Sequence, residues 1–257
     1  MKKQLDIFFT AVMFLTRLPV PGRIDHSPAM LQKSARYFSW IGILVGIIVA
    51  VCFICCKQLF SSSLAILLSM IVSILTTGAF HEDGFADVCD AFGGGWTKEK
   101  ILLIMKDSRL GTYGVIGLIV ILGMKFLLLL ELSESYPAST FAVLIIAANS
   151  LSRFAALSLM QQYPYVADEN TSKSKPVTER KLSFAELIVA LTGGCLSFLF
   201  LPAAFLLTII PVAIARIYLG YFFNKWIGGY TGDCLGAAQQ VSEIAFYTGS
   251  ILIWKFI

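Results

Sequence analysis

Three aspartates, Asp83, Asp87 and Asp90, are spaced four and then three residues apart. At about 100° per residue a helix carries all three carboxylates on one narrow face. With Glu82 they place four of the chain's sixteen acidic residues within nine positions, directly after an apolar run. Like charges held side by side repel, so the arrangement predicts a positive partner among them. Magnesium fits, because it takes carboxylate oxygens, waters and substrate phosphates. Two such ions on an aspartate row would clamp a diphosphate for in-line displacement. A merely solvated helix end, the bland alternative, requires neither the shared face nor the adjoining span. By the same angular count His81 lies on the opposite side of the helix, as a cap or a substrate contact. Glu82 is also off the face.

A second polar cluster is Gly228-Gly-Tyr-Thr-Gly-Asp-Cys-Leu-Gly236. Read blandly, it is a flexible loop with turn glycines. Its glycines, Gly232 among them, also let backbone amides approach phosphate oxygens closely, and Asp233 can supply a further metal ligand or a base. Glu243 is about 80° from Asp233 on a continuous helix, at the mouth of the last apolar segment. The run Lys106-Asp-Ser-Arg-Leu-Gly111 offers Lys106, Asp107 and Arg109 either to substrate phosphates or to lipid headgroups. Arg153 sits within or at the edge of a span, where charge is costly and commonly functional, and is expected to face an acid or a phosphate. Lys125, near mid-span, has a stem long enough to snorkel and receives no role. The basic loop around Lys175 reads equally as a substrate lid or a topology signal.

The elements that position these residues are apolar helices. The chain of 257 residues is 57% hydrophobic and 14% charged, with a mean hydropathy of +0.79. Soluble domains carry about 25% charge, so the composition predicts an integral membrane protein. A net charge of +4 is too small and dispersed for nucleic acid. Seven spans are predicted, at residues 37–60, 64–80, 113–132, 136–160, 183–201, 203–223 and 241–257. Residues 1–20 resemble a signal peptide but lack a small-residue cleavage site, and read as a retained amphipathic or interfacial helix, with a short eighth span left open. Residues 98–110 read as a surface helix capped by Thr97 and ended by Gly111. The expected fold is therefore all-α: a polytopic membrane bundle with interfacial helices, one domain over residues 1–257. Basic residues concentrate in the segments 2–36, 98–109 and 173–181, all on one side of this topology. The positive-inside rule turns that side, with every motif, toward the cytoplasm. Six cysteines without paired spacing predict no disulfide there.

These motifs resemble the cobalamin synthase (adenosylcobinamide-GDP ribazoletransferase) family. The resemblance rests on Phe14-Leu-Thr-Arg-Leu-Pro-Val20, His81-Glu-Asp-Gly-Phe-Ala-Asp-Val-Cys-Asp90, Ile104-Met-Lys-Asp-Ser-Arg-Leu-Gly-Thr-Tyr-Gly114 and the glycine-rich Gly228–Gly236 stretch, in family order across nearly the whole chain. It implies a magnesium-dependent, multi-pass enzyme of the bacterial inner membrane. Alpha-ribazole, or its 5′-phosphate, would displace GMP from adenosylcobinamide-GDP. On that reading Asp83, Asp87 and Asp90 are catalytic and hold metal with Asp233. His81, Lys106, Asp107, Arg109, Arg153 and Gly232 contact the two substrates. Membrane lipid is the other expected partner; a homo-oligomer, or association with other cobalamin-assembly enzymes, is left open.

Two rivals are weaker. A CDP-alcohol phosphotransferase carries Ala-Arg after its Asp-Gly pair, whereas Phe-Ala-Asp follows Gly84 here. A cation transporter wants its acids near mid-membrane, and these fall at a span end.

Overall fold

The computed structural model describes residues 2–22, 27–166 and 181–256. Lys173, Lys175 and Arg180 of the basic loop lie outside them. The described residues are overwhelmingly helical, and the one extended feature among them is an isolated bridge between Tyr165 and Tyr230.

The N-terminal helix α1 (Lys2–Leu15) is amphipathic, as its sequence suggests. Ile7, Ala11, Val12 and Leu15, recurring at helical spacing, are buried in the bundle. A short α2 (Pro28–Ser34) with proline in its first turn and a 3-10 turn lead to α3 (Phe38–Lys57). Ser61 caps α4 (Ser62–Thr77), accepting the Leu64 N–H at 3.4 Å. Next come α5 (Phe80–Gly94), which carries the aspartates, α6 (Lys98–Met105), α7 (Thr112–Ser135) and α8 (Ala138–Gln162). The helix α9 (Phe184–Cys195) opens with a capping box between Ser183 and Glu186 and continues as a 3-10 turn, Leu196–Phe200. Pro202 starts the 3-10 turn Ala203–Thr208, which runs into α10 (Ile209–Ile227), and the last helix is α11 (Gly232–Phe256).

Helix α8 is the core of the bundle. Of its most apolar window 78% is buried, against 22% for α7 and for the segment containing α10. Helices α7 and α10 therefore turn apolar side chains such as Ile119, Leu127, Ile214 and Ile217 outward, as a lipid-facing surface requires. The tightest packing is between α3 and α8. A Cβ on Gly46 would lie 2.7 Å from the Ile146 Cα, and one on Gly42 would strike the Asn149 carbonyl. This glycine pair four residues apart lets the two backbones touch, the usual device where lipid offers no hydrophobic drive between helices.

Among the described residues, four helical stretches are long and apolar enough to cross a membrane: Pro28–Lys57, Thr112–Ser135, Ala138–Gln162 and Ala203–Ile227. The pair α4–α5 would make a fifth, but it is bent by 88°. The expected seven are not confirmed. Phe184–Phe200 is a shorter apolar helix, and α11 starts nine residues before the expected span and carries Asp233, Glu243 and Lys255.

Contacts sort the loops onto two ends. At one end the Arg17 N–H donates to the Thr76 carbonyl, Arg36 pairs with Glu186 at 3.3 Å, and the Val166 N–H donates to Tyr230. At the other, Lys255 pairs with Glu131 at 3.2 Å and the Tyr136 hydroxyl donates to the Ser250 carbonyl. All the chemistry-bearing motifs are at the first end.

Candidate active site

The site begins with a break in the chain. Gly78 and Ala79 both adopt left-handed conformations, with φ of 68° and 58°. Gly78 closes α4 with its N–H on the Ile74 carbonyl, the usual helix-ending use of glycine. It also leaves room for the Arg17 side chain, which a Cβ would hit. Ala79 pays a backbone cost that glycine would not. The pair swings α5 away from α4, so the acids leave the line of the span.

Helix α5 then crosses α11 at glycines. A Cβ on Gly84 would stand 2.9 Å from the Asp233 Cα, and one on Gly236 would stand 3.1 Å from the His81 carbonyl oxygen. This close crossing brings Asp233 to the aspartate row, uniting motifs some 150 residues apart in the chain. Asp83 is exposed, while Asp87, Asp90 and Asp233 are half-buried. Burial, then the neighbouring charges of Asp233, Asp83 and Asp90, push the Asp87 carboxyl up to about 7. Burial, with Asp83 beside it, raises Asp233 to about 6. The charges acting most strongly on Asp87 are all carboxylates. That crowding is what a hard divalent cation relieves, and the donor chemistry fits one. Among the described residues, no group of three or more His, Cys, Asp or Glu side chains is placed to hold a metal ion as it stands.

Asp90 has a second task that its spacing does not announce. Its Oδ2 accepts the Gly111 N–H at 2.7 Å and its Oδ1 the Gly114 N–H at 2.8 Å. It therefore caps the N-terminus of α7 and ties down the loop before it. That loop, residues 106–111, replaces the C-terminal part of the helix expected over residues 98–110. Thr97 does cap α6, accepting the Lys100 N–H at 3.3 Å, but α6 stops at Met105. The reason is local: the Asp107 side chain accepts the Arg109 N–H at 3.1 Å, an Asx turn that competes with helix. Asp107 and Arg109 also pair at 2.6 Å, which holds the Asp107 carboxyl down at about 2. With Asp90 and Tyr113 they line a shallow open hollow. Lys106 sits at the end of α6.

His81, Arg153 and Gly232 lie elsewhere, around a mainly apolar cleft that also takes in Phe14, Phe38 and Phe80. The structure thus separates the expected substrate contacts into two groups, one at each end of α5.

Below the cleft runs a buried polar network. Lys125 does not snorkel: it is buried and pairs with Glu243 at 2.8 Å. Glu243 also accepts from Gln239 at 3.0 Å and from the Tyr247 hydroxyl at 3.1 Å. Gln240 donates to Glu82 at 3.0 Å and to Gln239 at 3.0 Å. Arg153 donates to the Asn149 carbonyl and side-chain oxygens at 2.9 and 3.0 Å, within electrostatic reach of Glu243 and Glu82. Glu243 is therefore a partner for buried cations and not a member of the carboxylate row. Two opposite charges in apolar segments were the available signal, since each must find a partner. The aromatic wall from Phe14, Phe38 and Phe80 gave no such signal, because phenylalanine occurs in every span and carries no charge that must find a partner.

Fold and site define a class: an all-helical membrane protein whose carboxylates, drawn from two distant motifs, meet at one end of the bundle beside a buried polar core. Residues 7–251 match the family described as Cobalamin-5-phosphate synthase, and the chain belongs to it. It is 47% identical over 247 residues to the adenosylcobinamide-GDP ribazoletransferase of Shewanella frigidimarina (strain NCIMB 400), covering 95% of this chain and 94% of that protein. The enzyme of the same name from Shewanella pealeana (strain ATCC 700345 / ANG-SQ1) is 45% identical over 248 residues, covering 96% and 95%. No solved structure matches the chain.

Proposed function

We propose that the protein is an adenosylcobinamide-GDP ribazoletransferase, active at the cytoplasmic face of a bacterial inner membrane. The observation that carries this reading is the meeting of Asp233 with Asp83 and Asp87 across the α5–α11 crossing. Near-full-length relatives bearing that name support it. A ribose hydroxyl of alpha-ribazole, or of its 5′-phosphate, forms a bond to the cobinamide-linked phosphorus of adenosylcobinamide-GDP. The bridging P–O bond to GMP breaks, GMP leaves, and the hydroxyl proton passes to one of the aspartates. Asp83, Asp87 and Asp233 would hold magnesium, with Asp90 at the edge of the set because its oxygens already anchor α7. When bound, the metal supplies charge neutralisation to a phosphoryl transfer that needs alignment more than covalent help. Basic residues at this end of the bundle, among them Lys98, Lys106 and Arg109, support the cytoplasmic assignment.

The test is GMP release from adenosylcobinamide-GDP and alpha-ribazole by purified protein. Activity should vanish with chelator and return with magnesium. Asp87→Asn should abolish turnover while the protein still inserts; near-normal GMP release from that variant would remove the metal assignment.

A further inference from the structure

The cleft at the His81 end of α5 has features the phosphoryl chemistry leaves unused. Phe14 stacks on Phe38 at 5.7 Å and meets Phe80 edge-on at 5.6 Å, and Phe80 meets His81 edge-on at 5.5 Å. Into this aromatic wall comes Arg153, 3% exposed, whose Nε is buried without a hydrogen-bond partner. A buried guanidinium donor left unmade is costly, so an acceptor is the missing component. The neighbouring Gln239 is engaged elsewhere: its amide nitrogen donates to Ser152 and Glu243 and its oxygen accepts from Gln240. Gly232 lines the same cleft one residue before Asp233, and His81 two residues before Asp83.

We infer that this cleft receives the planar heteroaromatic base of the nucleoside acceptor, its unsubstituted ring nitrogen accepting from Arg153 Nε. The inference rests on the function proposed above and adds an orientation to it: acceptor at the His81 end, departing nucleotide at the Asp107–Arg109 end. The chemistry of the walls selects the occupant. The base of alpha-ribazole, a dimethylbenzimidazole, presents an apolar benzenoid edge and one acceptor nitrogen, matching aromatic faces and the unmet Arg153 donor. Guanine carries several donors and acceptors along its edges, which this cleft would strip of water without replacing. With the base seated here, the attached ribose points along α5 toward the carboxylates.

Two variants of the full-length protein in detergent or nanodiscs separate the cases. Ala156 lines the cleft and is nearly buried, so Ala156→Leu fills it. Arg153→Lys keeps the charge and loses the Nε donor. Both should raise the KM for alpha-ribazole, and its dissociation constant in equilibrium dialysis without corrinoid, by about tenfold or more. The KM for adenosylcobinamide-GDP should stay within about twofold. A rise in the corrinoid KM with unchanged ribazole binding would place the donor substrate in the cleft and overturn the inference. No change in either would leave the cleft to lipid and overturn it equally. Should both variants misfold, a photoreactive azidobenzimidazole riboside on the wild type decides. Labelling of peptides containing Phe14, Phe80 or Met160 supports the assignment; labelling confined elsewhere rejects it. If the wild type binds alpha-ribazole but releases no GMP, the proposed reaction fails while the cleft assignment stands.

Discussion

Each of the clustered aspartates meets different surroundings, and their expected behaviours differ accordingly. Asp87 and Asp233 are raised above the ordinary carboxylate value near 4, to about 7 and about 6. A folded-state pKa above the unfolded one means the native fold favours the protonated form. Their contribution to stability is then fullest below about pH 4 and is lost as pH rises through 6 and 7. Metal-free protein in chelator should therefore melt lower at pH 8 than at pH 5.5. Asp87→Asn should narrow that gap, and melting curves parallel to the wild type would place the crowding elsewhere. Metal uptake follows the opposite sense, weakening as protons reclaim these carboxylates below pH 7. Asp90 answers to a different test, because both its oxygens hold backbone N–H groups. Asp90→Ala should cost about 2 kcal/mol and free the loop it anchors. Faster trypsin cleavage after Lys106 and Arg109 would report that release.

At the scale of the element, what matters is how α5 is placed. The left-handed Gly78–Ala79 step turns it 88° from α4, and the glycine crossing seats it on α11. Gly84→Ala puts a methyl carbon 2.9 Å from the Asp233 Cα, against backbone that cannot swing aside. Overpacking of this kind costs about 1–3 kcal/mol. Because it pushes Asp233 from the row, GMP release should fall by more than the stability loss explains. Thermal melting and turnover measured on the same preparation make the comparison. Turnover close to wild type would show that the crossing distance does not set the site.

Over the whole molecule, the Lys125–Glu243 pair joins α7 to α11 inside the bundle. Breaking a buried pair from one side strands the other charge and costs about 3–5 kcal/mol. Lys125→Met should be strongly destabilised, and the double variant Lys125→Met with Glu243→Leu should recover much of the loss. Recovery is limited by Gln239 and Tyr247, which also lose their acceptor on Glu243. Equal melting of the single and double variants would show that the pairing carries no specific energy.

The sequence by itself determined the membrane-embedded helical class, the family and the acidic face. Those properties are written in composition, period and short motifs, which act locally. It also specified Thr97 as a cap, since a threonine before a helix satisfies nearby amides whatever the rest of the chain does. What only the tertiary structure decided were meetings between distant segments. Asp233 reaches the Asp83–Asp90 row because two glycines allow two backbones to touch. Asp90 serves as an anchor because Gly111 and Gly114 come to it. Lys125 finds Glu243 because helices remote in the chain pack side by side, and the path of the chain through the bundle turns on the sharp bend between α4 and α5 and on the charge α11 carries inward. Spacing along a chain reports which side chains share a face; it carries no record of which faces a three-dimensional packing brings together.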